Sequence, residues 1–354
     1  MDEKLRTILP ELRRQFEALY GVWQCHLSSG GIVAARPFSD QLLRLSEREQ
    51  DPGLCLQAYH SGWSTMLYAG EPAKARDQAD AGRRLYDPEA HQAHRLVYGG
   101  HDPGVCARTA GALAEWLLGY PETALASIAE ALALSRRIAH PFTTSVALIN
   151  ASVIHLNDRE PGAALTRLEA AEALAAEQRL SLIIEPDFIR GAVLAGRGAA
   201  NEAVVRIRQG LAAWRRKRAT LYVPFGLALL ADALTRCGER AAALAAAREG
   251  LEAAITTGEH VWDAELHRLH GMVLLAENQV DEAQASLEMA LRVARGQQAR
   301  AYELRTATCL ARLWGEQSRR TEARGLLASL YGWFTEGFDA PDLKEAKALL
   351  DELA

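Results

Sequence analysis

The sequence predicts an all-α solenoid of about eight antiparallel helix pairs on a 40-residue period, closed by a C-terminal helix. Three observations carry this. First, a small or turn-forming residue stands five positions before an alanine that opens an amphipathic helix. This anchor recurs at Ala35, Ala75, Ala124, Ala163, Ala203, Ala243, Ala283 and Ala323, with spacings of 40, 49, 39, 40, 40, 40 and 40. Second, small residues keep the same register. Twelve positions before the anchor stand Ala112, Ala151, Gly191, Ala231, Gly271 and Ala311; seven after it stand Gly82, Ala131, Ala170, Gly210, Gly250 and Ala290. Facing small residues are what two helices need to approach closely. Third, no strand-like alternation with turn pairs occurs.

Within each unit the turn before the anchor is Gly30, Gly70, Gly119, Asp158, Gly198, Gly238, Asn278 or Ser318. Pro72, Pro121 and Pro161 open second helices, where a missing N–H costs nothing. Asp51-Pro52-Gly53, Asp102-Pro103-Gly104 and His140-Pro141 separate one pair from the next. Helices of about 15–17 residues, roughly 25 Å, fit the period. The repeats are expected over residues 1–340 and a capping helix over 341–354. The one irregular interval places an insertion at about residues 86–104.

Composition agrees and excludes other classes. Apolar residues make up 49% and charged residues 24% of 354, which excludes disorder as the main state. A formal charge of −5 argues against a nucleic-acid binder, and the run Arg215–Arg218 reads as a solvated helix end. The five cysteines form no C-x-x-C pair, and no apolar stretch is long enough to span a bilayer. The expectation is a cytoplasmic protein without a membrane partner or a cofactor.

The small residue of the first helix, the Gly before the turn and the alanine-type positions of the second helix resemble the tetratricopeptide repeat, lengthened from 34 residues to 40. Longer strings are similar to the C-terminal repeat region of bacterial multidomain proteins that carry a class III adenylate/guanylate cyclase domain and a P-loop ATPase domain. These strings are Gly99–Val105, Trp116–Pro121, Arg208–Trp214, Tyr331–Phe338 and Asp342–Leu350. No G-x-x-x-x-G-K-[ST] loop or cyclase domain occurs in this chain. The resemblance implies the sensing or assembly part of such a system.

In that register, positions 18, 15, 11 and 8 before each anchor face the inner surface. They include Tyr20, Gln24 and Leu27, then His60, Ser64 and Leu67, then Cys106, Thr109, Leu113 and Trp116. Leu148, Phe188 and Phe225 continue an apolar trough, and Asp232, Glu265, Arg268, Arg305 and Arg312 add charge at the C-terminal end. Such a groove suits a protein or peptide partner. Arg268 and Arg305 would clamp a carboxylate or, alternatively, pair internally, as Glu265 with Arg268 one turn away. A second reading is a small-molecule sensor with a closed pocket near Trp116 and Phe188, as in the helical arrays of maltose-type transcription activators. A third is a metal-dependent enzyme built on His91, His94, His101 and Asp102 of the insertion, whose bland alternative is a capped connector. No nucleophile elbow, H-E-x-x-H or dinucleotide turn occurs, so the leading expectation is a non-catalytic scaffold, with monomer and oligomer both left open.

Overall fold

The computed structural model describes residues 3–29, 31–49 and 51–354, so Gly30 of the turn column lies outside the described residues. Every regular element among them is helical. Helix α1 (Glu3–Ser28) pairs with α2 (Ile32–Glu49), and α3 (Pro52–Tyr68) with α4 (Pro72–Leu85). The single-turn α5 (His94–Val97) sits in the long connector. Six further pairs follow: α6 (Pro103–Leu117) with α7 (Pro121–Ile138), α8 (Pro141–Asn157) with α9 (Pro161–Gln178), and α10 (Pro186–Gly196) with α11 (Ala200–Arg216). The last three are α12 (Val223–Arg236) with α13 (Arg240–Thr257), α14 (Asp263–Ala276) with α15 (Val280–Gln297), and α16 (Arg300–Glu316) with α17 (Arg320–Tyr331). Helix α18 (Pro341–Glu352) ends the chain as a cap. No helix among the described residues is long and apolar enough to cross a membrane.

The turn residues repeat because the backbone needs them. Gly70, Gly119, Gly198, Gly238, Asn278 and Ser318 all have positive φ, the left-handed conformation that stops a helix. The next N–H then bonds back to the carbonyl five residues earlier, as Tyr120 to Glu115 at 2.9 Å and Gln279 to Leu274 at 2.9 Å. In the fourth unit the left-handed residue is Arg159, and the fully buried alanine is Ala164. The register there runs one residue later than Asp158 and Ala163. The other seven anchors are all buried. A second left-handed series, Ala139, Arg179, Arg218, Gly258 and Gln298, ends the second helices.

The small columns lie where helices touch. A Cβ on Gly82 would meet Trp63 at 2.5 Å, one on Gly191 would meet Ile207 at 2.4 Å, and one on Gly250 would meet Leu266 at 2.6 Å. At α3 and α6, Asp51 and Asp102 cap the free N–H groups ahead of a proline, Asp51 accepting from Gly53 and Leu54 at 2.8 and 3.0 Å.

Contacts also join units far apart in sequence. The hydroxyls of Tyr68 and Tyr222 bond to each other, and Thr220 donates to the Ser29 carbonyl. Trp116 packs edge-on against Tyr302 at 5.5 Å between centroids. Arg159 reaches Asp342 at 3.1 Å and Glu345 at 2.6 Å, and the Gly337 N–H donates to Glu122 at 2.8 Å. Units five to eight therefore lie back along units one to four. The superhelix closes on itself, and its axis holds a cavity instead of an open trough.

Candidate ligand cavity

The cavity measures about 590 Å3 and lies between the first three helix pairs and the segment Trp214–Tyr222. Helix α1 contributes Tyr20, Gln24 and Leu27; α3 contributes His60, Ser64 and Leu67; α6 contributes Cys106, Thr109 and Leu113. These are the inward columns of the repeat. The opposite wall is Trp214, Leu221 and Tyr222, and Val146 and Asn150 of α8 close one side. Exposed Ser28 and Ser29 face exposed Lys217 and Arg218 at the rim. Among the described residues no carboxylate lines the cavity.

Hydrogen bonds fix the polar floor. Trp23 Nε1 donates to Thr65 Oγ1 at 2.8 Å. Tyr20 Oη lies 2.9 Å from His60 Nδ1, and Cys106 Sγ lies 3.2 Å from His60 Nε2. The His60 ring stacks on Trp63, with centroids 4.9 Å apart, and meets His101 edge-on at 5.1 Å. Burial, aided by the neighbouring His101, keeps the His60 imidazole neutral, far below its ordinary pKa. Burial also pushes the Cys106 thiol up to about 12. On the far wall, Tyr222 is held at a φ of 69° while its N–H donates to Glu259 at 2.9 Å.

The insertion serves this cavity. Tyr98 packs edge-on against Phe16 and Tyr20, at 6.1 and 5.0 Å, and the following Gly99-Gly100 turn carries His101 over His60. The four candidate ligands of the insertion do not converge. Asp102 is committed to capping α6 and accepts from the Tyr86 hydroxyl at 2.9 Å. His91 Nδ1 accepts from the Asp87 N–H at 3.0 Å, and His94 lies 4.9 Å from His91 but bonds Gln57. Only His101 joins another group of ligand-type atoms, with His60 and Cys106.

Of the eleven residues assigned to the groove by sequence, Tyr20 and His60 line the cavity. Trp116 is covered by Tyr302 and by Arg305, whose guanidinium sits 4.9 Å above the ring, and only a void of about 20 Å3 borders it. Phe188 is fully buried against Trp214, and Phe225 lies 4.6 Å from Trp262. Leu148 packs on the same core. Every charged candidate is engaged within the chain. Arg268 holds Glu265 through two bonds of 2.6 and 2.8 Å. Burial alone would raise Glu265, yet that guanidinium keeps it below its ordinary pKa. Arg305 pairs with Asp342 at 2.7 Å, Arg312 with Glu345 at 2.6 Å, and Asp232 with Arg236 at 2.7 Å.

Lys217 and Arg218 were legible only as part of a basic run, and Tyr222 was not singled out. Nothing local in the sequence marks a segment that reaches across to another turn of the superhelix.

No family model matches the chain. An uncharacterised protein of Rhizobium meliloti (strain 1021) is 27% identical over 299 residues, covering 84% of this chain and 29% of that protein. The chain thus spans less than a third of that relative's length. Among solved structures, a Rap protein complexed with Competence and Sporulation Factor superposes with a TM-score of 0.59 at 9% identity, over 96% of this chain and 97% of that one. NprR in complex with its cognate peptide NprX gives 0.53 at 15% identity, over 82% and 80%. A chain of the APC/C hetero-tetramer Cut9-Hcn1 gives 0.58 at 13% identity, over 95% of this chain and 55% of that one. These likenesses establish the tetratricopeptide-type solenoid fold.

Proposed function

We propose that the chain is a non-catalytic receptor that encloses a short apolar peptide with a free C-terminal carboxylate. The observation that carries this reading is the cavity itself: apolar and aromatic walls, two cations at the rim and no carboxylate in the lining. Its volume falls within the roughly 300–1,000 Å3 of small-ligand sites, enough for a short extended peptide and too little for a helix. Lys217 lies 5.0 Å above the Trp214 ring and pairs with Glu185 at 3.2 Å, so Arg218, which has no ion pair among the described residues, carries the available charge of the mouth for the terminal carboxylate. The amides of Gln24 and Asn150 supply the paired donor and acceptor that a peptide backbone needs. The cognate peptide named in the NprR complex supports the same choice over a metabolite.

The sensing role within a longer signalling protein, of the ATPase/cyclase kind, rests on the strings Gly99–Val105 and Tyr331–Phe338. That the aligned relative extends far beyond the matched stretch agrees with it. Ligand enclosure by a closed superhelix would then alter how its two halves meet.

Affinity selection of a random pentapeptide library on the purified chain tests the proposal. Selected apolar peptides should raise the melting temperature with a free C-terminus and lose most of that effect when amidated. Replacing Lys217 and Arg218 together by Ala should remove the distinction. A library without any stabilising peptide, or equal binding of the amidated forms, would overturn the reading.

A further inference from the structure

The floor of the cavity carries a second constellation that the peptide reading does not use. Ligand-capable atoms of His60, His101 and Cys106 all lie within 4.8 Å of one another, and the His60 Nε2 to Cys106 Sγ distance is 3.2 Å. The surrounding hydrogen bonds are met by tautomers that leave Nε2 of both rings available. Gln57 Nε2 donates to His94 Nδ1 at 2.9 Å, because burial holds that imidazole neutral with a pKa of about 4. This orients the Gln57 carbonyl oxygen toward His60 Nδ1, 3.1 Å away. One tautomer meets both contacts of this nitrogen: Nδ1 carries the proton, with the Gln57 carbonyl at 3.1 Å and the Tyr20 hydroxyl at 2.9 Å as acceptors, and Nε2 keeps its lone pair toward Cys106. His101 repeats the arrangement: its Nδ1 donates to the Gly99 carbonyl at 3.0 Å, which leaves Nε2 as the lone-pair nitrogen. Two imidazoles, each fixed through the other ring nitrogen by an oxygen acceptor, are the outer-shell pattern of metal-binding histidines.

We propose that His60, His101 and Cys106 bind one zinc-class ion, with the fourth position open to the cavity. Two imidazoles and one thiolate suit a borderline-to-soft divalent metal such as Zn2+, and hard cations would prefer oxygen. Binding breaks the Cys106 S–H bond and forms a sulfur–metal bond; the proton leaves to solvent and no oxidation state changes. Tetrahedral zinc would set the ligand atoms about 3.3–3.6 Å apart. His60 and Cys106 are already near that separation, while His101, within 4.8 Å of both, has to close by at most about 1.5 Å. The turn that carries it, Gly99-Gly100, has both residues at positive φ and a φ/ψ range that other residues lack. This proposal does not depend on the peptide.

Titration of the full chain, stripped of metal with chelator, with Co2+ decides it. One equivalent should produce thiolate-to-cobalt charge-transfer absorption together with visible bands of a four-coordinate ion, and one equivalent of Zn2+ should abolish both. Cys106→Ser should lose the charge-transfer band at unchanged helical circular dichroism. Gln57→Leu, which removes a positioning acceptor and no ligand, should weaken Co2+ binding by about 10–100-fold. If Cys106→Ser does not fold, His101→Asn replaces it and should lose the four-coordinate bands. Absence of the charge-transfer band at one equivalent, or the same band in Cys106→Ser through another cysteine such as Cys25, would overturn the site. Peptide binding that persists in Cys106→Ser leaves the two proposals separate.

Discussion

Tyr68 and Tyr222, 154 residues apart, join their hydroxyls across the superhelix, one at the end of α3 and the other at the start of α12. Their rings meet edge-on at 5.5 Å, and both line the cavity. Tyr222 is set there by its left-handed backbone, which costs a non-glycine residue on the order of 1–3 kcal/mol and persists only when neighbours enforce it. The pair is therefore both wall and clasp. It joins the second unit to the sixth, and the cavity exists because that junction closes.

Removing either hydroxyl should leave its partner without this bond in a part-buried junction. Tyr68→Phe and Tyr222→Phe are each expected to cost about 1–3 kcal/mol. The double variant should cost less than the two together, with a coupling near 1 kcal/mol. Urea unfolding of the four proteins measures this cycle. Strict additivity would mean that the two turns of the superhelix are not held together through these residues.

The same clasp marks where sequence reasoning stops. The 40-residue beat fixed helix pairing because left-handed turns and small residues are local requirements, visible at Gly70, Gly119 and Gly82. The inward columns followed from that register, and Gln24, Ser64 and Thr109 line the cavity as their positions require. In the fourth unit a one-residue shift, with Ala164 in place of Ala163, moves the inward position from Ser145 to Val146, and Val146 is the residue at the wall. Superhelical closure was not legible. It depends on the summed rotation of eight units, to which every interface contributes and no single residue carries a signal. The roles of Arg305 and Asp342 as an internal pair, and of Tyr222 as a wall, follow from that sum.

The small columns make a sharper prediction, because they separate contact from propensity. Gly82 sits against Trp63, which stacks in turn on His60, and a methyl group there would meet the indole at 2.5 Å. Gly82→Ala should destabilise by about 1–3 kcal/mol despite the better helix propensity of alanine. Gly325, inside α17, has nothing within 4 Å of its would-be Cβ. Gly325→Ala should stabilise by up to about 1 kcal/mol. Thermal unfolding followed at 222 nm compares the two. Opposite expectations on the same substitution leave little room for a generic effect, and a stabilising Gly82→Ala would show that the second unit is less closely packed than described.

Glu259 gives the molecule a pH dependence with a definite sign. Burial raises its carboxyl from 4.5 to about 8, although Trp262 Nε1 and the Tyr222 N–H, each at 2.9 Å, pull the other way. Between pH 4.5 and pH 8 the folded chain therefore holds a proton that the unfolded chain has released. The group's contribution is complete below about pH 4.5, falls as pH rises through that window, and is flat above 8. Its slope is at most about 1.4 kcal/mol per pH unit. Glu259→Gln is neutral at every pH and does not titrate; its carbonyl oxygen can keep one of the two donors, while its NH2 cannot accept from the other, a loss that is the same at each pH. Urea midpoints at pH 5, 6, 7 and 8 should show the native chain losing stability relative to this variant as pH rises. Because Glu259 anchors the Tyr222 backbone, the loss should be accompanied by faster amide exchange at Tyr222. A difference that stays constant, or grows in favour of the native chain toward pH 8, would mean that the carboxylate is ionised in the fold and that its two donors outweigh its burial.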